Sequence, residues 1–143
     1  MTTIEELIKI VKRLRAPDGC PWDREQTFRS LTPCIIEEAY ELVDAIELDD
    51  REHLKEELGD VLLHIVMLSN MAEEQSHFSF EDVASDVAKK MVRRHPHVFG
   101  DKAAKNVEEV WENWEQIKKT EKKSESIMDS IPKLPALLEA FKI

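Results

Sequence analysis

Apolar positions recur with a helical period along nearly the whole chain. Ile4, Leu7, Ile8, Val11 and Leu14 share one face, and Thr3 with Glu6 forms a capping box that opens this first helix. Ala16-Pro17-Asp18-Gly19-Cys20-Pro21 interrupts the pattern as a loop. Trp22 follows it, placed either to stack on a planar ligand or to plug the end of a bundle. Thr32 as N-cap, with Pro33 at the first helical position, starts a helix carrying Ile35, Ile36, Ala39, Leu42, Val43 and Ile46. Leu48-Asp49-Asp50-Arg51 is a polar break, and Asp49 or Asp50 caps the next helix, about Arg51 to Glu74. Its stripe is Leu54, Leu58, Val61, Leu62, Ile65 and Leu68. So short a break predicts an antiparallel hairpin. Ser79 with Asp82 caps a further helix bearing Phe80, Val83, Val87 and Met91. Asn106 with Glu109 caps one bearing Val107, Val110, Trp111, Trp114 and Ile117, whose tryptophans are expected in a core. Strand-type alternation is scarce. The chain reads as all-α, an antiparallel helical bundle.

Composition narrows the partners. At 143 residues the chain suits one domain with a proper core. A net charge of -10 argues against nucleic acid or an anionic membrane as the main partner. No apolar run reaches the roughly 18 residues that a membrane span needs, and the N-terminus lacks a signal-peptide pattern. Cys20 and Cys34 form neither a metal-type nor a redox pair, so a reduced, cytoplasmic protein is expected.

The acids are where pattern turns into chemistry. Residues three or four apart share a helix face. Glu38 and Glu41 therefore project together from one arm of the hairpin, and Glu57 and Asp60 from the other. Both pairs sit at the margin of their apolar stripes, where they look into a cleft. Four converging carboxylates repel one another unless a hard divalent cation binds their oxygens. Gly59 sits inside a helix at a cost of about 1 kcal/mol relative to Ala, which suggests close approach of a neighbouring backbone or ligand. An ordinary solvated acid face remains open on spacing alone, since the chain has 30 acidic residues. A di-iron bundle would want paired Glu-x-x-His motifs, and the sole match is Glu74-x-x-His77 at a helix end. Lys89-Lys90-Met91-Val92-Arg93-Arg94-His95-Pro96-His97 is the single dense basic segment. It serves either a helix dipole or an anion such as a phosphate chain.

Taken as an ordered set, LRAPDGCPWDREQT, EEAYE, EELGD, KKMVRRHPHVFGD, WENWEQIK and LPALLEAFKI resemble the MazG family of nucleoside triphosphate pyrophosphohydrolases. The resemblance implies an all-α fold, at least a homodimer, and Mg²⁺-dependent cleavage of a nucleoside triphosphate to monophosphate and pyrophosphate. Mn²⁺ would serve as a substitute ion, and house-cleaning or nucleotide-pool control would be the role. It maps the metal ligands onto Glu38, Glu41, Glu57 and Asp60, with Glu37 as a further candidate; in the chemistry that follows, Glu37 or Glu38 would accept the attacking water's proton as general base. It maps phosphate- and nucleotide-binding residues onto Lys90, Arg94, Trp114 and Lys118. Lys90 and Arg94 are expected at the surface, acting on substrate more than on folding. Leu62, Ile65, Val66, Met67 and Met71 are expected to leave a second apolar face for self-association. The catalytic domain is placed at 1–123. Residues 124–143 are read as a linker and the start of a C-terminal helix, leading to a second domain in tandem members. The alternative function is a catalytically weak nucleotide-binding or dimerisation domain.

Overall fold

In a computed structural model, residues 3–122 are described and form seven helices with no strand among them. The helices are α1 (Thr3–Leu14), α2 (Pro21–Glu25), α3 (Thr32–Glu47), α4 (Arg51–Glu74), α5 (Phe80–Arg94), α6 (Pro96–Phe99) and α7 (Val107–Glu121). The all-α expectation holds. The segment 124–143, read as linker and helix start, lies outside the described residues. Contacts divide the chain between Asp86 and Val87 into two compact units, where the sequence suggested one.

In the first unit α4 packs against both α3 and α1. The core is Val11, Leu31, Val66, Met67 and Met71, with Ile4, Leu7, Ile8, Ile35, Leu62, Leu63, Leu68 and Phe80 packed on it. The α1 face is therefore the expected one. On α4 the core is gathered in the C-terminal half, where Val66, Met67, Ser69, Asn70, Met71 and Ala72 are buried. In its N-terminal half the buried residue is Glu57. Val66, Met67 and Met71, expected to supply a second apolar face, are core.

Asp50 is the N-cap of α4 and accepts the His53 amide at 3.2 Å. Before it, Asp49 turns the chain with φ 54, a left-handed conformation that Asp tolerates. Thr32 does not act as a cap: α3 starts after Leu31 without a side-chain cap, and the Thr32 hydroxyl donates to the Phe28 carbonyl at 3.5 Å. The connection from α1 to α3 contains the short helix α2. Arg15 ties it down, meeting Glu74 through Nε (2.7 Å) and Nη2 (2.9 Å) and the Asp23 and Gln26 carbonyls through Nη1. Gly19 is required there, because a Cβ would collide with the Arg13 and Leu14 carbonyls. Trp22 is 55% exposed and plugs nothing.

The second unit holds the end of α5, α6 and α7. Asn106 caps α7 as expected, accepting the Glu109 amide at 2.9 Å, while the Glu109 carboxylate accepts the Lys105 amide. Ser79 and Asp82 likewise bond reciprocally before α5.

Candidate metal centre

The inward faces of α3 and α4 carry only part of the predicted apolar stripes: Ile35 and Leu42 on α3, and Leu54, Val61, Leu62 and Leu68 on α4, are half-buried. On α3 the buried residue is Ala45. Glu38 and Glu41 precede it on the same face and are half-buried, whereas Ile36, Tyr40, Val43 and Ile46 are exposed. The helix thus turns the acids toward α4 together with half-buried Ile35 and Leu42, and leaves the rest of its apolar residues exposed. Opposite stands Glu57, 6% exposed. One ligand oxygen from each of Glu38, Glu41 and Glu57 lies within 4.8 Å of the others. Asp60, half-buried one turn along, stands outside that set but near enough for its charge to act on Glu38.

Electrostatics mark the cluster as unbalanced. The Glu38 carboxyl is pushed up to about 7, first by burial, then by hydrogen bonding to Glu57 and by the charges of Glu41, Asp60 and Glu57. Glu41 is also raised, by burial and then by the Glu57 charge. Two ionised carboxylates only accept hydrogen bonds, so Glu38 and Glu57 bond each other only by sharing a proton. With neither protonated, Glu38 Oε2 and Glu57 Oε2 are buried without a protein partner. A divalent cation is the partner whose chemistry fits hard, anionic, oxygen-only donors.

Glu37 is exposed on α3, and its charge contributes to raising Glu41. Gly59 has nothing within 4 Å of a built Cβ, so no neighbouring backbone approaches it among the described residues. His53, which the acid motifs do not single out, stands 3.2 Å from Glu57 Oε1 through Nε2. Its spacing four residues before Glu57 was readable as a same-face pair.

The basic segment belongs to the second unit and is described by itself. Lys90 is exposed. Arg94 is 9% exposed, bonds Glu121 at 3.0 Å and lies 5.0 Å from the Trp114 ring centroid. Arg93 bonds the other Glu121 oxygen. The expectation that Arg94 is a surface residue is therefore corrected: its guanidinium is part of an interior network. His95 presents its ring edge to Trp114 at 5.3 Å. Trp111 is 62% exposed rather than core. With His95, Val110, Trp114, Glu115 and Lys118 it lines an open cleft of about 570 Å³.

Residues 26–99, which include the whole acid cluster, match the model of the MazG nucleotide pyrophosphohydrolase domain. The chain belongs to the MazG family. It is 47% identical over its full length to a nucleoside triphosphate pyrophosphohydrolase of Escherichia coli K12, covering 56% of that protein. It is 46% identical over 97% of its length to the nucleoside triphosphate pyrophosphohydrolase/pyrophosphatase MazG of Thermotoga maritima, covering 54% of it. The chain thus spans little more than half the length of these two MazG relatives. In three dimensions it resembles a mazG-related protein from Thermotoga maritima known from its crystal structure. The TM-score is 0.66 at 26% identity, over 80% of this chain and 98% of that one.

Proposed function

We propose that this chain hydrolyses nucleoside triphosphates to nucleoside monophosphate and pyrophosphate, with Mg²⁺ held by Glu38, Glu41, Glu57 and Asp60. The observation that carries the reading is the acid cluster, whose buried, unpartnered carboxylate oxygens call for a cation within a MazG-family domain. The names of the E. coli and T. maritima relatives support nucleoside triphosphates as the substrate class. Mn²⁺ is the expected substitute.

When bound, the ion supplies charge neutralisation for phosphate oxygens and a lowered pKa for a coordinated water. The chain supplies the rest. Half-buried Glu38 and exposed Glu37 are the candidate bases for the attacking water. Lys90 and Lys118 are the cations proposed to meet phosphate oxygens, and Trp114 offers a ring for the nucleotide. Arg94 joins them in the proposal through the network it holds, because Glu121 already takes its Nη2.

Self-association is part of the same reading. Ile36, Tyr40, Val43 and Ile46 on α3, with Leu58 and Ile65 on α4, are exposed apolar residues on the hairpin that carries the acids. We propose that a second copy covers them, and light scattering at micromolar concentration should give at least a dimer mass. A pool-control or house-cleaning role is proposed from the reaction alone. The deciding experiment is a panel of common and modified nucleoside triphosphates with Mg²⁺, following pyrophosphate and orthophosphate separately. Pyrophosphate is the expected product; orthophosphate alone, or full activity in excess EDTA, would overturn the proposal. Nucleotide binding without turnover would leave the binding-domain alternative.

A further inference from the structure

We propose that His53 is a positioning residue for the metal centre, holding Glu57 through the close Nε2···Oε1 approach so that Oε2 is left for the cation. The proposal rests on the metal reading above. Three observations bring the pair together. The Glu57 side chain is 8% exposed, so its orientation is set by the protein and not by water. Its two oxygens are treated differently: Oε1 faces His53 Nε2 at 3.2 Å, and Oε2 is buried with no protein partner. His53 sits in the first turn of α4, whose backbone is fixed by the Asp50 cap accepting the His53 amide at 3.2 Å.

An ionised carboxylate is acceptor-only, so for His53 to donate across this contact Nε2 carries the hydrogen. The contact limits the freedom of a ligand that repulsion from Glu38 and Glu41 would otherwise push away before a cation arrives. Partners of this kind, once removed, typically cost about 10- to 100-fold in metal affinity. An ordinary same-face helix pair would leave metal affinity unchanged.

The test follows free Mn²⁺ by its electron paramagnetic resonance signal as protein is added, for the parent, His53→Ala, His53→Met and His53→Gln. Melting in EDTA is recorded beside it. The Gln amide places a donor near the position of Nε2, while Ala and Met offer none. Affinity about 10- to 100-fold weaker in the Ala and Met variants, largely recovered in His53→Gln, is expected. Similar EDTA melting should accompany it in at least one donorless variant. Parent-like affinity in either donorless variant would overturn the proposal. Equal loss in all three would overturn it too, by making the ring itself a ligand. A parent that binds no Mn²⁺ would instead remove the metal reading, and His53's role with it.

Discussion

This chain holds carboxylates in two contrasting settings. In the first unit burial and the facing acids together raise the Glu38 carboxyl to about 7. In the second, Glu121 receives Arg93 and Arg94, and hydrogen bonds from these two guanidiniums hold it down at about 2. Glu38 is half-buried, and Glu121 keeps 21% of its side-chain surface. Partners, not depth alone, separate them. An acid whose charge is balanced inside the protein has completed its work in folding. An acid lifted by its neighbours is stored strain, and such strain collects where a ligand will relieve it. The two most buried guanidiniums of the ion pairs, Arg15 and Arg94, go to Glu74 and Glu121, and among the described residues no Lys or Arg pairs with Glu38, Glu41 or Glu57.

The largest effect should come from removing one of those unbalanced charges. Glu57→Gln is expected to cost roughly 100-fold or more in turnover. In EDTA it should melt at or above the parent temperature, since neutralisation relieves repulsion. The extra stability that Mg²⁺ gives the parent, which is binding energy linked to the folded state, should largely vanish. Melting curves with EDTA and with Mg²⁺, beside a pyrophosphate assay, decide it. Lower stability in EDTA with activity retained would mean that Glu57 is a structural partner.

How far the sequence reaches can be read from the same acids. Spacing alone placed Glu38 with Glu41 and Glu57 with Asp60, and cap residues placed the hairpin, because both are local rules of a single helix. Which face of α3 turns inward is not local. Of the stripe Ile35, Ile36, Ala39, Leu42, Val43 and Ile46, only Ile35 and Leu42 are half-buried, beside Ala45 and the acids that turn toward α4. An apolar stripe does not by itself say which of its residues this chain will cover. Gly59 shows the same limit: among the described residues no neighbouring backbone fills its open side. Arg94 was legible as a cation, but its commitment to Glu121 spans 27 residues of sequence, beyond any pattern of local spacing.

Acid and base should pull the two settings in opposite directions. Glu38 is raised from an ordinary 4.5 to about 7. Its contribution to stability is therefore full below 4.5 and is lost as pH rises to about 7. Glu121 is lowered from 4.5 to about 2, so its contribution is present above 4.5 and is lost as pH falls toward 2. In EDTA the parent should melt lower at pH 8 than at pH 5, and Glu38→Gln should flatten that difference. Mg²⁺ should restore stability at pH 8 more than at pH 5, because binding must displace the shared proton. Glu121→Gln should leave this neutral-range response intact and alter the acid side alone. A parent curve flat from pH 5 to 8 would refute the strain assigned to Glu38.

The balanced site should break in proportion to burial. Arg94→Ala removes a guanidinium that is 9% exposed, paired with Glu121 and stacked on Trp114. A loss of about 2 kcal/mol is expected, with Arg93 left to hold Glu121 and soften it. Arg93 is half-exposed, and Arg93→Ala should cost much less than Arg94→Ala. Urea midpoints of the two variants make the test. Equal, negligible losses would return Arg94 to the role of a surface cation.

The smallest effect sharpens the comparison from inside the strained unit. Gly59 lies between Glu57 and Asp60 on α4, so a cost at this helix has two sources, repelling acids and a flexible glycine. They differ in what relieves them. A cation relieves the first, whereas only a side chain at position 59 relieves the second. Nothing lies within 4 Å of a Cβ built there, and the residue is helical, so alanine fits without displacement. Gly59→Ala should therefore stabilise by up to about 1 kcal/mol through lower unfolded-state entropy and better helix propensity. The gain should be equal in EDTA and in Mg²⁺, unlike the metal-linked response of Glu57→Gln, with turnover unchanged. A loss of stability instead would reveal a second copy or a ligand approaching α4 at this point. In that case the glycine would be part of an assembled site and not a dispensable flaw in the helix.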